Sequence, residues 1–196
     1  MRAADWLRLA ALGSLAADAS VRHFTGSSLF RGSEMEEQCL QIKTIVDQHR
    51  QKYRLSCIPS CVEMVLKILG KVSVDYYDLQ DSWQNKADGS FADFDGYSLG
   101  GIVFRHRFAL PRDNNFPIGE LFDFIDDELK EGRLVCVSLQ EKIGYHMYLI
   151  CAKQGQEYLA FSKNGSETIW ITNVCRRIEE MRGTDILFWQ YNSSHT

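Results

Sequence analysis

The spacing of apolar residues predicts helices in the first two thirds of this 196-residue chain. In the clearest pattern, Val62, Val65, Leu66 and Leu69 fall at the i, i+3, i+4 and i+7 positions of a single helical face. This spacing predicts a helix with one buried side, beginning between residues 57 and 60.

Three further segments have helical spacing, and a fourth is ambiguous. Residues 120–130 carry an apolar stripe and are followed by Gly132, which predicts a helix and its end. Weaker patterns predict short helices over 73–83 and 99–106. Residues 41–46 fit either a helix or a strand, and the alternation of their apolar positions slightly favours the strand.

From residue 133 onward the apolar period changes to that of β-strands. Asn164-Gly165 is a strong hairpin-turn signal, and Lys153–Gln156 is a second one. Helices followed by an antiparallel sheet predict an α+β fold. The predicted strands are Arg133–Ser138, His146–Ala152, Glu157–Phe161, Thr168–Thr172 and Asp185–Trp189.

The length fits one domain with an additional segment at each end. A Gly/Ser-rich linker precedes the domain. We therefore place the domain at 35–191, after a helical or poorly structured leader and linker over 1–34 and before a polar tail over 192–196. The leader contains a short sequence that resembles a secretory cleavage site, but an amphipathic leader and a cytoplasmic location are the preferred interpretation.

Composition narrows the classes of function. The net charge of −4 gives no indication of nucleic-acid binding. No apolar run reaches the roughly 18 residues of a membrane span. The six cysteines are irregularly spaced and need not form a disulfide framework. No spacing typical of metal ligands stands out, and we expect neither a metal nor a cofactor.

Cys57 lies where the first helix is expected to begin. Unpaired N–H groups and the positive end of the helix dipole stabilise a thiolate there, and the thiolate is the reactive form of cysteine. Ser60 and Glu63 have the spacing of a capping box, which would fix the helix start. Alternatively, Cys57 is a small buried hydrophobe, as we expect of Cys61 on the core face of the same helix.

The segment 51–70, QKYRLSCIPSCVEMVLKILG, resembles the start of the bacteriocin-processing, or double-glycine, peptidases. In that papain-like cysteine peptidase family a Gln precedes the Cys by six residues, as Gln51 precedes Cys57. A hydrophobic strand led by His follows, as in Gly144–Ile150. The resemblance covers roughly residues 40–170. It implies a papain-like fold, with the catalytic Cys at a helix N-terminus in a helical first half and an antiparallel sheet in the second.

The resemblance also implies roles for individual residues. Cys57 is the expected nucleophile, and His146 is the general base that later acts as the acid. Gln51, together with the backbone N–H of Cys57, is the expected oxyanion donor. Gln48, nine residues before Cys57, is the alternative donor.

The third catalytic group departs from the family pattern. The family has an Asp about sixteen residues after the His, and Ser162 occupies that spacing here. Asn164 is our candidate, because an amide oxygen can orient an imidazole, while a plain role in the Asn-Gly turn is an equal alternative. A second departure is Ile58, since the family commonly has Gly directly after its Cys, which lets the substrate approach closely.

These residues predict a stand-alone thiol hydrolase that cleaves a peptide or isopeptide bond through an acyl-thioester on Cys57, with a peptide or protein as its partner. One alternative is an acyltransferase that passes the same acyl group to an amine. The other is a catalytically degenerate domain that binds an extended peptide. The missing Asp and Ile58 favour this last alternative, whereas Gln51, Cys57 and His146 oppose it.

Overall fold

The computed structural model describes residues 42–192, so the predicted leader and linker 1–34 and residues 193–196 of the predicted tail lie outside the described residues. No helix within 42–192 has the length and apolar character needed to cross a membrane. The helices are α1 (42–48), α2 (Cys57–Ile68), α3 (Asp78–Trp83), a 3-10 turn (Phe91–Phe94), α4 (Ile118–Lys130) and α5 (Val174–Glu180). The strands are β1 (Ser98–Leu99), β2 (Ile102–Arg107), β3 (Val135–Gln140), β4 (Tyr145–Gln154), β5 (Glu157–Asn164), β6 (Glu167–Ile171) and β7 (Ile186–Tyr191).

The strands of the described chain form one seven-stranded sheet in the order β1-β2-β7-β3-β4-β5-β6. Every neighbouring pair is antiparallel. With the helices this is an α+β fold, as the sequence predicts. The two predicted turns are confirmed between β4 and β5 and between β5 and β6, where Gly155 and Gly165 adopt positive φ angles of 63° and 59°.

Helices cover both faces of the sheet, so the domain has two apolar cores. On one face α1 and α2 pack against inward-facing residues such as Met147 and Phe161. On the other face α4 and α5 pack against Tyr148 and Tyr158. The helix α2 is enclosed on all sides, because every residue from Ile58 to Lys67 is buried. Its polar residues therefore need partners inside the protein.

The predicted helix over 99–106 is wrong, because this segment forms the β1–β2 hairpin. Gly100 and Gly101 have φ angles of 61° and 80°, which are the left-handed values that a two-residue hairpin turn requires. Ile102 and Phe104 are buried, and β2 pairs with β7 along its whole length. Two adjacent glycines were the signal for a turn, and the β-branched and aromatic residues after them favour a strand.

The slight preference for a strand over 41–46 is also wrong, since residues 42–48 are helical and residue 41 lies outside the described residues. Ile42 and Val46 are both buried. Two residues four positions apart lie on the same side of a strand and also on the same face of a helix. The apolar positions of this short segment therefore fit both the strand period and the helix period. The helix predicted over 73–83 is shortened to α3, and α5 was not predicted.

The start of α2 at Cys57 is confirmed, but the predicted capping box is wrong. The Ser60 hydroxyl lies 3.0 Å from Nε2 of His49 instead of bonding its own helix. The Glu63 carboxylate accepts hydrogen bonds from the backbone N–H of Gln80 at 2.9 Å and from its side-chain Nε2 at 2.7 Å. Burial drives both side chains to partners outside the helix, because α2 has no solvated face.

Gln80 connects α3 to the segment that leads into α2. Its side chain is fully buried. Besides its bonds to the carboxylate, Nε2 donates to the carbonyl of Arg50 at 3.0 Å. Its Oε1 accepts from the N–H of Lys52 at 2.7 Å and from the hydroxyl of Ser56 at 2.8 Å. One amide thus uses both hydrogens and both lone pairs, and it fixes residues 50–56 against α2 and α3.

Replacing Gln80 with Leu is expected to lower the free energy of unfolding at pH 8 by about 3 kcal/mol, because the buried carboxylate of Glu63 loses its side-chain donor while it keeps the backbone N–H of residue 80, and the other buried partners of the amide lose their hydrogen bonds. Burial raises the pKa of Glu63 to about 7, and the bonds from Gln80 oppose that rise. The variant raises this pKa further, so its loss of stability is smaller at pH 5, where Glu63 is protonated. Urea unfolding at both pH values measures the difference. The exposed Gln154→Leu is the control, with a change within about 0.5 kcal/mol, and equal losses at both pH values for Gln80→Leu would contradict this account.

Candidate active site

Cys57 is the first residue of α2, and its thiol is partly buried. Three backbone N–H groups, those of Ile58, Cys57 itself and Met147, act on the thiol and lower its pKa. Burial outweighs them and, with a contribution from Cys61, raises the pKa of Cys57 to about 11. The helix N-terminus is present as expected, but desolvation of the thiolate is the larger effect.

His146 is the second residue of β4. Because the N–H of Met147 acts on the thiol of Cys57, this thiol lies beside the backbone of β4 directly after His146. Within residues 42–192 no hydrogen bond or ion pair joins the thiol to the imidazole. Burial lowers the pKa of His146. The thiol and the imidazole are therefore both uncharged; the thiol lies beside the backbone N–H of Met147, and the ring of His146 contacts Ser162 and Tyr148.

Ser162 holds the imidazole of His146. Its hydroxyl oxygen lies 2.7 Å from Nε2 of His146 and 2.5 Å from the carbonyl oxygen of Met147. A hydroxyl has one hydrogen, and the carbonyl can only accept, so Ser162 donates to Met147 and accepts from Nε2–H. This assigns the proton of the neutral ring to Nε2 and leaves Nδ1 as the basic atom.

Asn164, the candidate for the third group, makes no hydrogen bond to His146 within residues 42–192. It is the exposed last residue of β5, where it pairs with Glu167 across the hairpin turn. No side-chain hydrogen bond of Asn164 is present in the described part of the chain. The sixteen-residue spacing between His146 and Ser162 could have identified Ser162 as the partner of the imidazole. It was not decisive, because a serine and not the expected aspartate occupies that position.

Gln51 lies in the segment that leads into α2, and its side-chain N–H groups are already used. Nε2 donates to the carbonyls of Tyr53 at 2.9 Å and Arg54 at 3.0 Å. Its Oε1 is buried and has no hydrogen-bond partner within the described residues. A role for Gln51 as oxyanion donor requires its amide to leave both carbonyls. The first-turn N–H groups of Cys57 and Ile58, which already act on the thiol, are donors in place.

His49 is the other histidine close to α2, and its surroundings exclude it as the base. It is 1 % exposed, and its ring nitrogens are bonded to Ser60 at 3.0 Å and to Nζ of Lys67 at 2.9 Å. Burial and the neighbouring Lys67 lower the pKa of His49 to about 3. The ring also stacks on Tyr77. His49 therefore supports the helix and stays neutral.

Comparisons with known proteins do not assign this site to a class. Searches against protein-family models, curated proteins and solved structures found no match to this chain. Among residues 42–192, no group of three or more His, Cys, Asp or Glu side chains could hold a metal ion. The site is therefore described by one thiol, one oriented imidazole and the N–H groups at the start of α2.

Replacing Ser162 with Ala is expected to lower the free energy of unfolding by about 1–3 kcal/mol, because the Met147 carbonyl and the His146 ring lose a buried partner. Asn164→Ala is the matched control and should change it by less than about 0.5 kcal/mol. Urea unfolding measures both. Nitrogen-15 shifts of the His146 ring report whether the proton leaves Nε2 in Ser162→Ala only. A larger effect of Asn164→Ala than of Ser162→Ala on the free energy of unfolding and on the ring shifts would show that Asn164, and not Ser162, holds the imidazole.

Alkylation of Cys57 by iodoacetamide should be slow at neutral pH and rise towards a pKa of about 11, because the thiolate is the nucleophile. At pH 8 we expect a rate roughly a hundredfold or more below that of glutathione, whose thiol is close to the ordinary value of about 8.5. Mass spectrometry locates the label. Rapid labelling below pH 7 that disappears in His146→Ala would instead reveal a preformed thiolate–imidazolium pair.

Proposed function

We propose that this protein is a papain-like thiol hydrolase that cleaves a peptide or isopeptide bond through an acyl-thioester on Cys57, with His146 as the base and acid. One observation carries the proposal: the thiol at the start of α2 lies against the peptide between His146 and Met147. A buried helix that begins at a cysteine and packs on an antiparallel sheet supports a papain-like arrangement within the α+β class.

The proposed reaction starts from the uncharged pair. His146 Nδ1 takes the proton from the thiol as Sγ of Cys57 attacks the carbonyl carbon of the scissile bond. The N–H groups of Cys57 and Ile58 stabilise the oxyanion. The imidazolium then gives its proton to the leaving amine as the C–N bond breaks. A water molecule, deprotonated by the same imidazole, hydrolyses the acyl-thioester and restores the thiol.

The state of the pair distinguishes this proposal from a preformed ion pair. The raised pKa of Cys57 and the lowered pKa of His146 both favour the neutral forms. Proton transfer therefore accompanies the attack instead of preceding it, as in serine hydrolases. The neutral hydroxyl of Ser162 orients the imidazole but gives the imidazolium less stabilisation than a carboxylate would. Turnover is expected to rise with pH as His146 loses its proton.

A second candidate function is the binding of an extended peptide without cleavage. The Gln51 amide, engaged by two carbonyls, supports it because the predicted oxyanion donor is not free. The side chain of Ile58 supports it as well, since it is packed into the core at 5 % exposure where the family commonly has Gly. In this case the thiol would have no catalytic role, and peptide affinity would not depend on Cys57.

Cys57→Ala is expected to abolish cleavage of a fluorogenic peptide library, and His146→Ala to reduce it at least about a hundredfold, since each removes a group that acts in the transition state. Cys175→Ala, on the opposite face of the sheet, is the matched control and should keep full turnover. A peptidyl vinyl sulfone should label Cys57 in the wild type, as intact-mass analysis can show. Unchanged cleavage in Cys57→Ala would refute the hydrolase, whereas peptide binding that is equal in both proteins without cleavage would establish the second candidate.

A further inference from the structure

Three side chains next to His146 form a connected group, and they lie on the face of the sheet away from α2. They are Tyr148, Glu141 and Arg177. The ring of Tyr148, two residues further along β4, meets the imidazole edge to face, with 5.4 Å between ring centroids and 84° between ring planes. The Tyr148 ring therefore packs directly against the imidazole. Ser162 holds only the Nε2 edge of the ring, so the orientation of the ring plane depends on what holds Tyr148.

Glu141, in the turn between β3 and β4, holds Tyr148 in place. The Tyr148 hydroxyl donates to Oε1 of Glu141 at 2.7 Å. Arg177, on α5, donates to the same oxygen at 2.8 Å and to the backbone carbonyl of Gln140 at 2.6 Å. The guanidinium also lies 5.4 Å from the centroid of the Tyr148 ring. One carboxylate therefore ties the β3–β4 turn, strand β4 and helix α5 together next to the imidazole.

We propose that Glu141 is a positioning residue of the active site: through Tyr148 it fixes the plane of the His146 ring, and its carboxylate supplies the nearby negative charge that Ser162 lacks. The inference rests on the proposed function for its catalytic meaning. Glu141 and Arg177 lie outside the sequence motifs that contain Cys57 and His146. The Glu141–Tyr148–Arg177 group acts on the reaction only through His146.

The charges around His146 are consistent with this role. Glu141 raises the pKa of the imidazole and Arg177 lowers it, against the larger effect of burial. From β5, the backbone of Lys163 also raises this pKa. Burial opposes ionisation of Glu141, but the bonds from Arg177 and Tyr148 hold its pKa below the usual range. Glu141 therefore stays charged when the imidazole takes up a proton.

The same fold contains a matched comparator with the same chemistry. Tyr158 donates its hydroxyl to Asp126 at 2.7 Å, and Lys153 pairs with the other oxygen of that carboxylate at 2.5 Å. This group, like the first, joins a strand to a helix on the same face of the sheet. It has no contact with His146. Variants of the two groups should therefore have similar effects on stability and different effects on the imidazole.

The test is the titration of the His146 ring by NMR in the full chain, with His146→Gln used to assign its signal. Glu141→Gln keeps the shape and the acceptor oxygen but removes the charge, and it is expected to shift the His146 titration to lower pH. Tyr148→Phe keeps the ring but frees it from Glu141, and it is expected to broaden or displace the His146 signals. Asp126→Asn and Tyr158→Phe are the controls and should leave the His146 titration unchanged.

Turnover of the peptide library provides the second readout. Glu141→Gln is expected to lower kcat by about two- to fivefold with little change in KM, as expected for a partly exposed charge that acts on the base. If Glu141→Gln and Asp126→Asn lower stability alike and neither moves the His146 titration, the group is structural and the inference fails. A shifted titration in a protein that cleaves no peptide would refute the hydrolase and leave the coupling of Glu141 to His146 in place.

Discussion

The complete burial of α2 is the constraint on which the rest of the structure depends. A helix with ten consecutive buried residues cannot leave Ser60, Glu63 and Lys67 without partners, so His49 and Gln80 are drawn into the interior to meet them. These bonds fix the segment before α2, and with it the position at which Cys57 enters the helix. The site is therefore a consequence of how the polar residues of one buried helix are satisfied.

The same burial decides the charge state of the site. Enclosure raises the pKa of Cys57 and lowers that of His146, although backbone N–H groups act in the opposite direction on the thiol. The helix N-terminus provides donors for an oxyanion, but it does not outweigh the cost of a desolvated thiolate. In the proposed mechanism, the N–H groups at the start of α2 therefore stabilise the oxyanion that develops during the reaction, whereas the resting thiol and imidazole stay uncharged.

In the proposed hydrolase, two different groups orient the imidazole and supply the negative charge near it. Ser162 fixes the ring proton on Nε2 through a neutral hydrogen bond. Glu141 contributes charge from a greater distance and holds the Tyr148 ring. Orientation and electrostatic stabilisation of an imidazole are physically separable, because the first needs a short directed bond and the second only a nearby charge.

The sequence by itself determined α2 and its start at Cys57, α4, the β3–β6 meander and the α+β class, because each depends on local periodicity and turn residues. Motif order also predicted Cys57 and His146 as catalytic residues, and these roles stay predictions. The tertiary structure decided that β7 lies between β2 and β3 and that the hydroxyl of Ser162 hydrogen-bonds to His146. These depend on strand register and burial, which bring together residues distant in the chain and which the local pattern does not specify.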